Sequence, residues 1–249
     1  MPGLTNFLAE VRSLFVPDPD GKDGPLPPIL VSMTVVTGLV DAFSYLTLGH
    51  VFVANMTGNV VFLGFALAGA PGFSIAASLT ALAAFAAGAF GGGRLAARHP
   101  HHRGRLHSSA AASQAVFLAA AVVLAAVGGS PVTAAFRYPL IIALGISMGI
   151  QNAAARKIAI PDLTTTVLTL TITGIAADSS AAGGSGSHSG RRLVAITAML
   201  AGALIGAALV LTGQIFYPLV IALVIVAAGA VTTYRLGQRE PGWVSGGTA

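Results

Sequence analysis

The charge-free stretches of this chain decide which solvent it folds in. Between Asp23 and Arg94 the only charged side chain is Asp41, between Arg105 and Arg156 it is Arg137, and between Arg192 and Arg235 there is none. A helix crossing the hydrocarbon core of a bilayer needs about 20 predominantly apolar residues, and these stretches have room for several. Only 8% of the chain is charged, against about 25% in a typical soluble domain, and 55% is hydrophobic. A soluble enzyme, a nucleic-acid-binding domain and a disordered protein are thereby excluded. The expected fold is all-α: a polytopic membrane helix bundle.

The formal net charge of +5 does not imply nucleic acid here. The basic residues flank apolar segments, where they mark cytoplasmic loops. With no cysteine in the chain, disulfides, thiolate metal sites and cysteine nucleophiles are excluded. Residues 1–28 mix acids and bases without the pattern of a secretory signal and read as an amphipathic tail retained in the mature protein. Residues 235–249 read as a polar, disordered tail. A single transmembrane domain is expected over 29–234, in two halves of about 29–128 and 138–234.

Apolar segments fall at about 29–49, 51–70, 73–93, 108–128, 138–155, 158–177, 193–212 and 215–234. The second and sixth are not ordinary spans. One carries Asn55, Thr57, Gly58 and Asn59; the other carries Pro161, Asp162 and Thr164 to Thr166. A gapless shift of 107 residues pairs Gly38 with Gly145, Asn55 with Asp162, Thr57 with Thr164 and Asn59 with Thr166. It sets Met148 against Asp41, with Gln151 and Asn152 one turn later. If the second and sixth segments each enter and leave on one face, all 13 Lys and Arg but Arg137 lie on the cytoplasmic side, as the positive-inside rule asks. Each half then makes three crossings, an odd number, so the halves are inverted. The expected topology is six full transmembrane helices plus two broken or re-entrant segments, with both termini cytoplasmic.

Backbone that leaves the helix at membrane depth must be buried in protein or line a wet cavity. Asn55 caps one half-helix and Pro161 with Asp162 opens another. Such helix starts turn unpaired N–H groups and a positive dipole end toward whatever lies between them. Asn55, Thr57, Asn59, Thr164, Thr165 and Thr166 are then placed to replace a solute's water. Asp41 is an intramembrane acid, costing about 2.5–3.5 kcal/mol or more, and is a candidate proton relay, cation ligand or substrate partner. The chemically unlike Gln151 and Asn152 complete the candidate path. Thr and Asn in membrane helices also serve as packing glue, and Asp41 has a structural alternative as a cap. His99, His101, His102 and His107 lack Cys or Asp partners and predict no metal site. Gly88/Gly92, Gly145/Gly149 and Gly202/Gly206 are packing pairs.

The run from Asp41 to Leu46, with Val51 to Gly64 containing Ala-Asn-Met-Thr-Gly-Asn, resembles the YoaK family of small bacterial membrane proteins. Gly149 to Arg156, continuing to Leu163 to Val167, is similar to that family's second signature. The resemblance spans residues 37–211 and leaves out the histidine-rich loop and both tails. It implies about six transmembrane segments in the bacterial inner membrane. The family is named as a domain of unknown function, so it implies no substrate. The residues themselves predict a small-solute transporter or channel without cofactor or metal. The alternatives are a non-catalytic scaffold or assembly partner and, with only Asp41 and Asp162 available, a membrane-embedded lipid-modifying enzyme. Expected partners are the lipid bilayer and a small solute or ion; a homo-oligomer is compatible with the sequence.

Overall fold

The computed structural model describes residues 2–16, 18, 21–161, 163, 165, 168–179, 182–184, 189–239 and 242–245. Among the described residues nine α-helices follow one another: α1 Pro2–Phe15, α2 Leu26–Thr47, α3 Met56–Leu67, α4 Ile75–Arg98, α5 Arg103–Gly128, α6 Ala134–Ile158, α7 Leu168–Ala177, α8 Ser189–Leu211 and α9 Tyr217–Gly237. No strand occurs among the described residues. Six of the helices, α2, α4, α5, α6, α8 and α9, are 21 to 26 residues long and apolar enough to cross a membrane. At 1.5 Å per residue they reach the roughly 30 Å of a hydrocarbon core. With 12 and 10 residues, α3 and α7 reach only about 18 and 15 Å, about half of it.

Local chemistry sets where the helices begin and stop. Prolines occupy the first turns of α2 and α9, where a missing N–H costs nothing. Ser74 caps α4 by accepting from Ala77 N at 3.2 Å. The His102 ring caps α5 by accepting from Arg105 N at 3.1 Å. His107 bonds Thr233 on α9 at 3.1 Å and His99 bonds Ser109 at 3.4 Å, so these histidines serve packing and capping.

The bundle has two ends. At the first, Leu14, Leu26, Ala96, Leu106, Ile158 and Trp243 share one buried cluster. It gathers the end of α1, the starts of α2 and α5, and the ends of α4 and α6. Arg103 ties the same end together, donating to Asp23 at 3.0 Å and to the Ile158 carbonyl at 3.1 Å. At the second end Leu48, Ala77, Ala125, Ile141 and Leu219 pack in the other cluster. By their places on these helices or on the chain just beside them, every Lys and Arg but Arg137 belongs to the first end.

Both short helices come back to the end they left. His50 Nδ1 lies 3.0 Å from the Gly72 carbonyl, so the excursion between α2 and α4 opens and closes at the second end. Ile158, Ile160 and Leu163 share the first-end cluster with Ala195 of α8, and Arg192 donates to Asp178 at 2.8 Å. The excursion between α6 and α8 therefore opens and closes at the first end.

Helix pairing matches between the halves. The pair α4 and α6 corresponds to α8 and α2, α5 and α6 to α9 and α2, α3 and α4 to α7 and α8; α2 meets α6 and α5 meets α9. Close contacts fix the register. A Cβ on Gly38 would strike Met199 O and Ala203 N; one on Gly149 would strike Phe85 O and Ala89 N. A Cβ on Gly202 would strike Val35, and one on Gly88 would strike Ile146. Gly38 thus matches Gly149 and Val35 matches Ile146, an offset of 111 that also relates the ends of α2 and α6 at Thr47 and Ile158. Between α4 and α8 the offset is 114.

Two expectations are corrected. The shift of 107 is wrong by four residues in these helices. Four residues is about one helical turn, so the error keeps the correct face and substitutes Gly145 for Gly149. The carboxyl-terminal tail, expected to be disordered, carries a 3₁₀ turn at Gly242–Val244. Its Trp243 is buried to 1% exposure against Gly24 and Gly104.

Candidate functional site

Asp41 is built into the broken segment. Its Oδ1 accepts from Val53 N at 3.1 Å and from Ala54 N at 2.9 Å. Those two donors belong to the extended stretch before α3, and no helix could satisfy them there, so the carboxylate stands in for the missing carbonyls. Asn59, fully buried, does the same for Phe52. Its amide accepts from Phe52 N at 2.9 Å and donates to Phe52 O at 2.6 Å, copying the donor–acceptor pair of a neighbouring strand. Gly58 is needed here because a Cβ would lie 2.8 Å from the Phe52 ring. Asn55 caps α3 as expected, its side chain accepting from Gly58 N at 3.4 Å.

A cavity of about 820 Å³ lies where α2, the start of α3 and α8 meet. Asp41, Asn55, Thr57 and Asn152 line it, with Thr37 and, from the start of α7, Thr169. The two half-helices therefore begin on one space, whose polar groups sit in a mostly apolar lining, although their sequences diverge. Phe85 of α4 closes one side, and Tyr45, Phe52 and Phe62 form a ladder of stacked rings on another, with centroids 5.0 and 5.6 Å apart. Asp41 and Asn152 each stand six residues before the end of their helix, about 9 Å in from opposite ends of the bundle. On the offset of 111, Asn152 is the counterpart of Asp41; the expected counterpart, Met148, is one turn away.

Other expected site residues are used differently. Asn59 is committed to the Phe52 backbone and does not line the cavity. Gln151 points into the core between α2, α5 and α6. It accepts from Gln114 Nε2 at 2.7 Å and donates to Thr37 Oγ1 at 3.0 Å and to the Met33 carbonyl at 3.2 Å. Its neighbour Asn152 donates to the Met148 carbonyl at 2.8 Å while keeping its face on the cavity. Thr165 is buried in the left-handed region at φ 64°, with no partner for Oγ1 among the described residues. Asp162, Thr164 and Thr166 lie outside the described residues. Nowhere among the described residues do three His, Asp or Glu side chains gather as metal ligands. Sequence reasoning missed Phe85 and the aromatic ladder, since an aromatic facing a cavity reads the same as one facing lipid.

Six membrane-length helices, with two half-length helices starting on one cavity, define a polytopic helical membrane protein. The chain belongs to the family described as protein of unknown function, DUF1275, which matches residues 29–232. It is 35% identical over 152 residues to the UPF0700 transmembrane protein YoaK of Bacillus subtilis (strain 168), a match covering 61% of this chain and 66% of that protein. The chain thus matches just under two thirds of the length of that curated relative. No solved structure matches it.

Proposed function

We propose that this protein carries or conducts a small polar solute across the bacterial inner membrane, through the cavity at Asp41 and Asn152. The observation that carries the reading is the convergence of two half-helix starts, a carboxylate, two amides and three threonines on one space inside a lipid-embedded bundle. Polar lining at that depth has a large solvation cost unless it is wet or occupied. Half-helices meeting at an internal site are the device by which inverted-repeat transporters hold a solute. The matched helix pairs and glycine registers support two homologous halves. Three crossings in each half support an inverted relation between them, and the basic residues at the first end support assigning that end and both termini to the cytoplasm. Asp41 holds the backbone of the broken segment through Val53 and Ala54, and its carboxyl group is the site for a proton or cation. The reading assigns the protein no catalysis.

Reconstitution in proteoliposomes with a defined mixture of small metabolites tests this. At least one component should accumulate above the level in empty liposomes. Asp41→Asn keeps an acceptor for Val53 and Ala54 but removes the charge, and should abolish or uncouple that uptake while the protein stays monodisperse. Unchanged uptake in Asp41→Asn removes Asp41 from the mechanism.

One observation favours the competing reading of a scaffold or assembly partner: Asp41, Asn55 and Asn59 each satisfy backbone groups. That reading gives no role to the Thr57 hydroxyl at the cavity wall. It would gain from Thr57→Val and Asn152→Ala leaving a measured uptake untouched.

A further inference from the structure

The cavity at Asp41 has a twin. A second cavity, of about 1110 Å³, lies between α4 and α6 and extends toward the first end. Its lining repeats the first cavity's in the register fixed by the helix contacts. On the offset of 111, Asp41, Ala42, Tyr45 and Leu46 of the first correspond to Asn152, Ala153, Arg156 and Lys157 of the second. On the offset of 114, Met199, Ala203 and Ala207 correspond to Phe85, Ala89 and Gly93. The side chains differ in five of the seven pairs while the places agree, so the match comes from the backbone arrangement. The two cavities share Phe85 and Asn152.

Resting on the transport reading above, we propose that the two cavities are the outer and inner vestibules of a single path, and that Phe85 with Asn152 is the partition between them. Each vestibule already reaches far into the bundle, so a solute needs only this partition to yield. Phe85 is half-buried and faces both spaces, and its counterpart Met199 lines the outer one alone. The halves are therefore unequal at the point where they meet, with a ring on one side and a flexible thioether on the other. Exchanging the roles of matched halves about a fixed site is how such repeats give access to one side at a time. The inner mouth carries Arg156 and Lys157 where the outer carries Tyr45 and Leu46, so the two mouths meet different electrostatic surroundings.

The test uses the absence of native cysteine and needs no knowledge of the solute. Single cysteines at Ala203 and Ala89, matched positions in the two vestibules, are reacted with a membrane-impermeant cationic methanethiosulfonate in right-side-out and inside-out vesicles. A partition closed about 90% of the time predicts that Ala203→Cys reacts about tenfold faster from outside and Ala89→Cys about tenfold faster from inside. Adding Phe85→Ala should bring Ala203→Cys to comparable rates from both sides. If that variant does not purify as a monodisperse species, Phe85→Leu, which shortens the ring, should move the ratio in the same direction. Reaction of both cysteines from one side, or a ratio unmoved by the folded Phe85 variant, overturns the two-vestibule scheme. Either result beside intact metabolite uptake leaves the transport reading standing. Sided access with no uptake of any solute overturns that reading instead.

Discussion

Replacing Gly149 with alanine puts a methyl group where α4 and α6 touch backbone to backbone. The new Cβ would strike Phe85 O and lie 2.6 Å from Ala89 N, against an ordinary non-bonded separation of about 3.5–4.0 Å. The helices must part by on the order of 1 Å, a gap that forfeits about a quarter to a half of each contact's dispersion energy. Overpacking of this kind costs about 1–3 kcal/mol, and the higher helix propensity of alanine returns about 0.5–1 kcal/mol. The net expectation is a loss of about 1–2 kcal/mol, read as a drop in Tm of about 2–4 °C per kcal/mol for a chain of this size. Gly38→Ala should cost the same within about 0.5 kcal/mol, because its Cβ would meet the matching atoms of Met199 and Ala203. Gly91→Ala, with nothing within 4 Å of its Cβ, should stabilise by about 0.5–1 kcal/mol. Thermal unfolding of the parent protein, these three variants and Gly145→Ala in one detergent measures all of this. If Gly149→Ala is as stable as Gly91→Ala, or if Gly145→Ala rather than Gly149→Ala matches Gly38→Ala, the register of 111 is refuted.

Gln151→Leu removes a three-helix polar junction that reaches the main cavity only through Thr37. It should cost about 1–2 kcal/mol, as interhelical hydrogen bonds in membranes do, and leave any measured uptake unchanged; loss of uptake in a stable variant would place Gln151 in the path. Trp243→Ala empties a site at the start of α5, at the first end of the bundle, and should cost about 3–5 kcal/mol in the same unfolding assay. A loss below about 1 kcal/mol would show that the tail does not hold that end together.

Much of the architecture was readable from where charge is missing. Asp23 to Arg94 and Arg192 to Arg235 hold whole spans because a bilayer tolerates few alternatives there. Asn55 marked the start of α3 because capping chemistry is local, whereas the helix expected to open at Pro161 and Asp162 begins seven residues after Pro161, at Leu168. The pairing register was not readable to the residue. Two glycines one turn apart, Gly145 and Gly149, satisfy the same helical face, and only the α4 backbone chooses between them. For the same reason Asn152 was recognised as polar but not as the counterpart of Asp41. The roles of Asn59 and Gln151 were hidden more deeply. One bonds a residue seven positions back through a non-helical turn, and the other joins three helices whose packing no local pattern encodes. Trp243 was lost among glycines and polar residues that resemble a disordered tail.

The central claim is that the space between the half-helices is aqueous and belongs to a path. Thr57→Cys in the cysteine-free chain tests it most directly, with a charged, impermeant thiol reagent applied to the protein in lipid vesicles. Thr57 lines the main cavity, whereas Leu170 of α7 is 72% exposed on the apolar outside of the bundle and serves as the lipid-facing comparison. The account predicts that Thr57→Cys is modified readily from outside while Leu170→Cys stays inert, because thiolate forms only where water reaches. A Thr57→Cys as unreactive as Leu170→Cys would mean that lipid or protein fills the space, and the path would not exist.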